Sequence, residues 1–163
     1  SSAASDVYKR QGLPITRPVK VGIVVADFND LVTTRLLAGA QQALRQAGIP
    51  EENILVVQVP GAMELPRVTR RLSETGVIDG VIALGAVVQG ETDHYTYVCQ
   101  QSAAGLAHAS LTGPIPVMFG VLMTANMDQA LNRAGGKGGN KGRECAQALL
   151  QVLSVEQQLS ELR

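Results

Sequence analysis

Four short apolar runs, each followed by a stretch of helical periodicity, constrain this chain more than any other feature. Val21–Ala26 (VGIVVA), Ile54–Val59 (ILVVQV), Gly80–Val88 (GVIALGAVV) and 117–122 (VMFGVL) are nearly continuous in apolar residues and rich in β-branched ones. A strand with one wet face alternates polar and apolar residues, so runs without that alternation read as parallel strands buried on both faces. The stretches 30–47, 64–75, 94–111, 127–133 and 143–159 read as helices, with stops such as Gly48-Ile49-Pro50 and Thr112-Gly113-Pro114. This alternation predicts an α/β fold: a three-layer α/β/α sandwich with a four-stranded parallel sheet and helices on both faces. Right-handed crossovers make a flavodoxin-like strand order the natural choice. Ligands of such sheets bind beyond the carboxyl ends of the strands, where the order reverses. The loops beginning at Asp27, Pro60, Val88 and Met123 are therefore where a site is expected.

A chain of 163 residues, 45% hydrophobic and 17% charged, suits one such domain and is too short for two ordinary ones. The domain is placed at 19–163, preceded by an N-terminal segment, 1–18, read as disordered or artefactual. Its first part, 1–11 (SSAASDVYKRQ), follows neither period and lacks the long apolar centre of a secretory signal. Fourteen basic residues balance fourteen acidic ones, without the basic excess that nucleic acid attracts. No apolar run reaches the roughly 20 residues that span a bilayer. Cys99 and Cys145 stand far apart in helical sequence, so reduced thiols are expected rather than a disulfide or a zinc site. A cytoplasmic location is expected, or a plastid if a transit peptide has been lost.

Aromatic residues are only 3% of the chain, which makes their positions informative. Phe28 follows the first strand, Tyr95 and Tyr97 follow the turn after the third, and Phe119 lies in the fourth; the group is expected near the ligand edge. Phe28 could stack on a flat heterocycle, or anchor its loop on the adjacent helix. Gly90-Glu91-Thr92-Asp93-His94 enters a helix, where free N–H groups favour an anion and His94 could relay protons. The plain alternative is a capped helix with a surface histidine. His108, further along among alanines, reads as structural. His94 and Cys99 are five apart and do not share a helical face, which argues against a metal pair. Arg133, Lys137 and Lys141 surround the glycine-rich stretch GGKGGNKG, which follows a helix and fits no Walker register. It suggests phosphate, or a connector with solvated lysines. Pro60-Gly61-Ala62-Met63-Glu64 could offer amides and a carboxylate to a polar substrate, or be a plain turn with Glu64 at the helix start.

Taken in order, these segments resemble the lumazine synthase family. Ala26-Asp27-Phe28-Asn29 looks like its [R/E/S]-F-N segment, and Val59-Pro60-Gly61-Ala62-Met63-Glu64-Leu65-Pro66 matches its VPGA-x-E-[IL]-P signature. Ala83-Leu84-Gly85-Ala86-Val87 with Gly90-Glu91-Thr92-Asp93-His94-Tyr95 matches ALGxV…G-x-T-x-H-[FY]. Phe119-Gly120-Val121-Leu122, Arg133-Ala134-Gly135 and Gly139-Asn140-Lys141-Gly142 complete the set. The resemblance runs from about Val19 to Val155.

It implies a synthase joining 5-amino-6-ribitylaminouracil to 3,4-dihydroxy-2-butanone 4-phosphate, with no metal and no cofactor. Phe28 would stack on the pyrimidine with Asn29 nearby; Ala62, Met63 and Glu64 would hold the ribityl chain; Val87 and Val88 would line the ring pocket. Gly90, Glu91 and Thr92 would bind the phosphate with Arg133 as counter-charge, and His94 would transfer protons. Phe119, Arg133 and Lys141 would come from a neighbouring subunit, because the family's site crosses a subunit contact. Homo-oligomers are implied: pentamers, and in many members sixty-subunit shells. The turn 135–142 carries no insertion of the kind found in members that stop at the pentamer, while 1–11 does not resemble the family's N-terminal arm. Thr96 stands where an acidic residue is common, and Asn132 where glutamate is. The rival readings are an archaeal-type riboflavin synthase of the same fold and a non-catalytic flavin- or lumazine-binding shell protein. A phosphoacceptor signalling domain lacks support, since its acidic cluster and strand-end lysine are missing.

Overall fold

The computed structural model describes residues 9–162. The apolar runs form β1 (Val21–Ala26), β2 (Ile54–Val59), β3 (Gly80–Val88) and β4 (Val117–Thr124), all parallel, in the order β2-β1-β3-β4. They are connected by α1 (Asp30–Gln46), α2 (Leu65–Ser73) and α3 (His94–Thr112). After β4 come α4 (Met127–Asn132), a short antiparallel hairpin of β5 (Ala134–Gly136) and β6 (Gly139–Asn140), and the closing helix α5 (Lys141–Ser160). The flavodoxin-like sandwich expected from the periodicity is the fold.

Why the strand runs do not alternate is visible in the two cores. Ile23, Leu36, Leu44, Ile82, Leu84 and Leu149 pack together where α1 and α5 cover one face. Val24, Leu65, Val81, Ala83 and Leu106 pack where α2 and α3 cover the other. Successive β1 residues therefore enter opposite cores, and all six are buried. Burying each large aliphatic side chain contributes roughly 1.5–3 kcal/mol, so both faces must be apolar. Edge strand β2 is wetter, with Leu55 exposed.

Element boundaries depart from the sequence reading in three places. β4 runs two residues longer than 117–122, pairing Met123 with Val87 and Thr124 with Val88. Ala62–Glu64 forms a single 3₁₀ turn, so α2 starts at Leu65. The closing helix begins at Lys141 rather than 143, because the Asn140 side chain accepts from Arg143 N at 3.0 Å and caps it. The glycine-rich stretch read as one turn is thus a hairpin joined to a helix start.

Of the N-terminal segment 1–18, read as disordered or artefactual, residues 1–8 lie outside the described residues. Residues 9–18 form no regular element but are tied along α5: Leu13 N donates to Ser154 Oγ at 3.0 Å and Gln158 Nε2 to Gln11 O at 2.8 Å. No described helix is long and apolar enough to cross a membrane.

Candidate active site

The β1–β2 ladder continues past its strands and seats Phe28. Asp27 N donates to Val59 O at 2.8 Å and Phe28 N to Pro60 O at 3.0 Å. Asn29 then takes a left-handed conformation (φ 63, ψ 47), which asparagine tolerates better than other non-glycine residues. Its Nδ2 donates to Ala86 O at 2.8 Å, tying the exit of β1 to that of β3. The backbone at Phe28 is held, yet its ring is 73% exposed. A large aromatic left in solvent on a fixed backbone is suited to stacking on a planar partner.

Opposite Phe28 stand the 3₁₀ turn carrying Ala62, Met63 and Glu64, the half-buried ends of β3 at Val87 and Val88, and His94, the first residue of α3. Together with Asn29 and Val98 they enclose a mostly apolar cavity of about 330 Å³. That is the small end of the range for ligand pockets, and apolar walls with few polar groups suit a flat heterocycle. Asp93 makes no side-chain cap at the start of α3, and the His94 N–H donates to Thr92 Oγ1 at 3.4 Å. Among the described residues nothing hydrogen-bonds the His94 imidazole, which leaves both nitrogens for a ligand or a partner. Gly90, Glu91 and Thr92 are on the exposed rim between Val88 and His94 and do not line the cavity.

The cations lie elsewhere. Arg133, Lys137 and Lys141 line a second hollow of about 720 Å³, formed by the exit of β4, α4, the hairpin and the start of α5. Lys141 N donates to Arg133 O at 2.8 Å and Gly138 N to Asn132 O at 2.7 Å, so the hairpin holds Arg133 and Lys141 beside each other. Gly135 (φ 108) and Gly139 (φ 86) supply the left-handed turns this requires. Among the described residues none of the three cations has an ion pair. A lysine opening a helix faces the positive end of its dipole, an arrangement unfavourable by roughly 0.3–1 kcal/mol until an anion binds. Asn132 and Glu144 also border this hollow.

The structure thus brings together Phe28, Asn29, Ala62, Met63, Glu64, Val87, Val88 and His94. It leaves Arg133 and Lys141 in a separate hollow, although Val87 and Val88 pair with Met123 and Thr124 across the β3–β4 ladder. Phe119 joins neither. It sits mid-strand opposite Ala83, 38% exposed, so within one chain the aromatics do not all gather at the ligand edge. Tyr95 and Tyr97 also stay outside the cavity; burial pushes the Tyr95 hydroxyl up, as does its hydrogen-bonded neighbour Cys99. His108, read as structural among alanines, is exposed. Val98 is the wall residue that the sequence reading passed over, and its signal was the one-turn spacing from His94.

The sequence profile of 6,7-dimethyl-8-ribityllumazine synthase matches residues 18–157, nearly the whole described domain. The chain belongs to that family. A 6,7-dimethyl-8-ribityllumazine synthase of Levilactobacillus brevis is 99% identical over 152 residues, 93% of this chain and 97% of that protein. The protein of the same name from Pediococcus pentosaceus is 58% identical over 139 residues, 85% of this chain and 89% of its own length. As a lumazine synthase the chain is a transferase of riboflavin biosynthesis, and the riboflavin synthase reading gives way to it.

Proposed function

We propose that the Phe28 cavity and the Arg133–Lys141 hollow are halves of one lumazine-forming site, completed where two copies of the chain meet. The observation that carries this is the separation itself. One hollow has a stacking ring and an imidazole without a cation, and the other has cations that no described carboxylate pairs, without a stacking surface. A reaction between an aminouracil and a sugar phosphate requires both. In this reading Phe28 stacks on 5-amino-6-ribitylaminouracil, Asn29, Val87 and Val88 frame the ring, and Ala62, Met63 and Glu64 hold the ribityl chain. Gly90, Glu91 and Thr92 cradle the phosphate of 3,4-dihydroxy-2-butanone 4-phosphate, with Arg133 of the adjoining copy as counter-charge and Phe119 and Lys141 closing over the uracil.

The chemistry follows from this placement. The ring amine adds to the ketone and loses water to give an imine; elimination releases phosphate; the ribitylamino nitrogen then closes the second ring with loss of another water. His94, at the rim between ring and phosphate turn, moves the protons. General acid–base catalysis contributes about 10²–10⁴-fold, and holding two reactants in register supplies much of the remainder.

The assembly we propose is a cyclic homo-oligomer, a pentamer, able to close into a sixty-subunit shell. The exposed face of α3 supports it: the helix carries no Asp, Glu, Lys or Arg, and Tyr97 and Leu111 stand out from it into solvent. Two free thiols, one buried, suit a reducing cytoplasm. The test is complementation between inactive copies. His94→Ala and Arg133→Ala proteins, each nearly inactive, are mixed, unfolded and reassembled together. A site built from two copies regains roughly a quarter of full activity at equal proportions, because that share of contacts pairs an intact histidine with an intact arginine. No recovery in assemblies that contain both variants would place the whole site within one chain.

A further inference from the structure

The Arg133–Lys141 hollow is held in shape from outside by a residue that does not line it. Asn140 uses both ends of its side-chain amide: Oδ1 accepts from Arg143 N at 3.0 Å, and Nδ2 donates to Arg35 O on α1 at 3.1 Å. The first bond caps α5; the second fastens the start of α5 to a helix 105 residues earlier in the chain. Two glycines make this seat. A Cβ at Gly39 would occupy the space of the Asn140 amide, and a Cβ at Gly142 would run into the Leu36 carbonyl of the same helix. Lys141 lies between Asn140 and Gly142, so its backbone is gripped on both sides, while its own N–H reaches Arg133 O at 2.8 Å.

We infer that Asn140 is a positioning residue: by clamping α5 to α1 it sets the place of Lys141 relative to Arg133, and so the geometry with which the cations meet the substrates. The inference rests on the reading of this hollow as the cationic half of the site. Capping alone would not require it, since serine caps a helix about as well. The α1 tether is what serine is too short to make.

Asn140→Ser therefore separates the two roles. The expected result is a melting temperature within about 2 °C of the parent, with KM for the butanone phosphate raised at least about tenfold, since sub-ångström to ångström misplacement of binding groups has effects of that order. Gly39→Ala approaches the same contact from the other side. A Cβ there must displace the Asn140 amide, so a purely structural role predicts a lower melting temperature with KM unchanged. A positioning role predicts a raised KM as well, and in the Gly39→Ala/Asn140→Ser double variant no further rise beyond Asn140→Ser alone. Wild-type KM in Asn140→Ser, or a KM that rises only in step with a falling melting temperature, overturns the inference. Arg133→Ala and Lys141→Ala, assayed alongside, locate the error. If they raise KM and Asn140→Ser does not, the tether idea alone is wrong; if they leave KM unchanged, the cationic half-site is wrong and this inference goes with it.

Discussion

Replacing Phe28 by alanine tests the site where structure and chemistry meet most directly. The ring is 73% exposed, so it contributes little to the fold, while its backbone is held by the Phe28 N–Pro60 O bond at 3.0 Å. Stacking would cover one face, roughly 60 Å² of a side chain able to bury about 150–250 Å². At about 25 cal/mol per Å² that is about 1.5 kcal/mol, and the favourable ring–ring geometry adds about 0.5–1.5 kcal/mol. The total of about 2–3 kcal/mol corresponds to affinity weakened about 30- to 150-fold. Because the ring meets the heterocycle before and during reaction alike, the loss should fall on KM for the aminouracil and on calorimetric affinity for the lumazine product, with kcat nearly kept. Phe28→Tyr should retain most of both. The melting temperature should move by no more than about 2 °C, as for other surface substitutions. The reasoning fails if affinity stays within about threefold of the parent. It fails equally if the protein loses several kcal/mol of stability, because Phe28 would then be a loop anchor.

His94→Ala should lower turnover by about 10²–10⁴-fold while product binding, followed by fluorescence titration, stays nearly intact; unchanged turnover removes the histidine from the mechanism. Thr69 on α2 is fully buried and its Oγ1 has no hydrogen-bond partner among the described residues. Thr69→Val should therefore raise stability, by about 1 kcal/mol in denaturant titration, and a loss of that size would show that the hydroxyl is satisfied after all. Burial pushes the Cys145 thiol up to about 11 from an ordinary 9.0, the charge of Glu144 adding to the rise and Lys141 opposing it. The folded chain then keeps a proton that the unfolded chain releases first. This stabilisation is complete below pH 9.0 and is lost as pH climbs towards about 11. The loss should be roughly 2–3 kcal/mol, and Cys145→Ala should abolish that part of the alkaline decline in denaturation curves; identical pH profiles for the two proteins would contradict the assignment.

The fold was legible because its signal is local. A strand buried on both faces must be apolar at every position, as β1 is, and a helix covering a sheet repeats its apolar residues every turn; each requirement is written within a few consecutive residues. Phe28, the 62–64 turn and His94 could be placed by the same means, because each comes soon after a strand end and all strand ends of a parallel sheet share one edge, whereas Val87 and Val88 entered through the family resemblance. The locations of the cations and of Phe119 could not. Strand register sets Phe119 opposite Ala83, midway along edge strand β4, although the scarcity of aromatics suggested the ligand edge.

The sequence by itself determined the order of elements, the two cores and the residues able to do chemistry. Tertiary structure alone decided that the stacking ring and the cations open into different hollows. It also decided that α5 begins two residues early, and that Asn140 reaches Arg35 across 105 positions. The reason is one of range. Hydrophobic periodicity is satisfied by any arrangement that buries the right face, whereas the distance between two side chains depends on crossovers, close glycine contacts and single hydrogen bonds between segments that no local pattern relates.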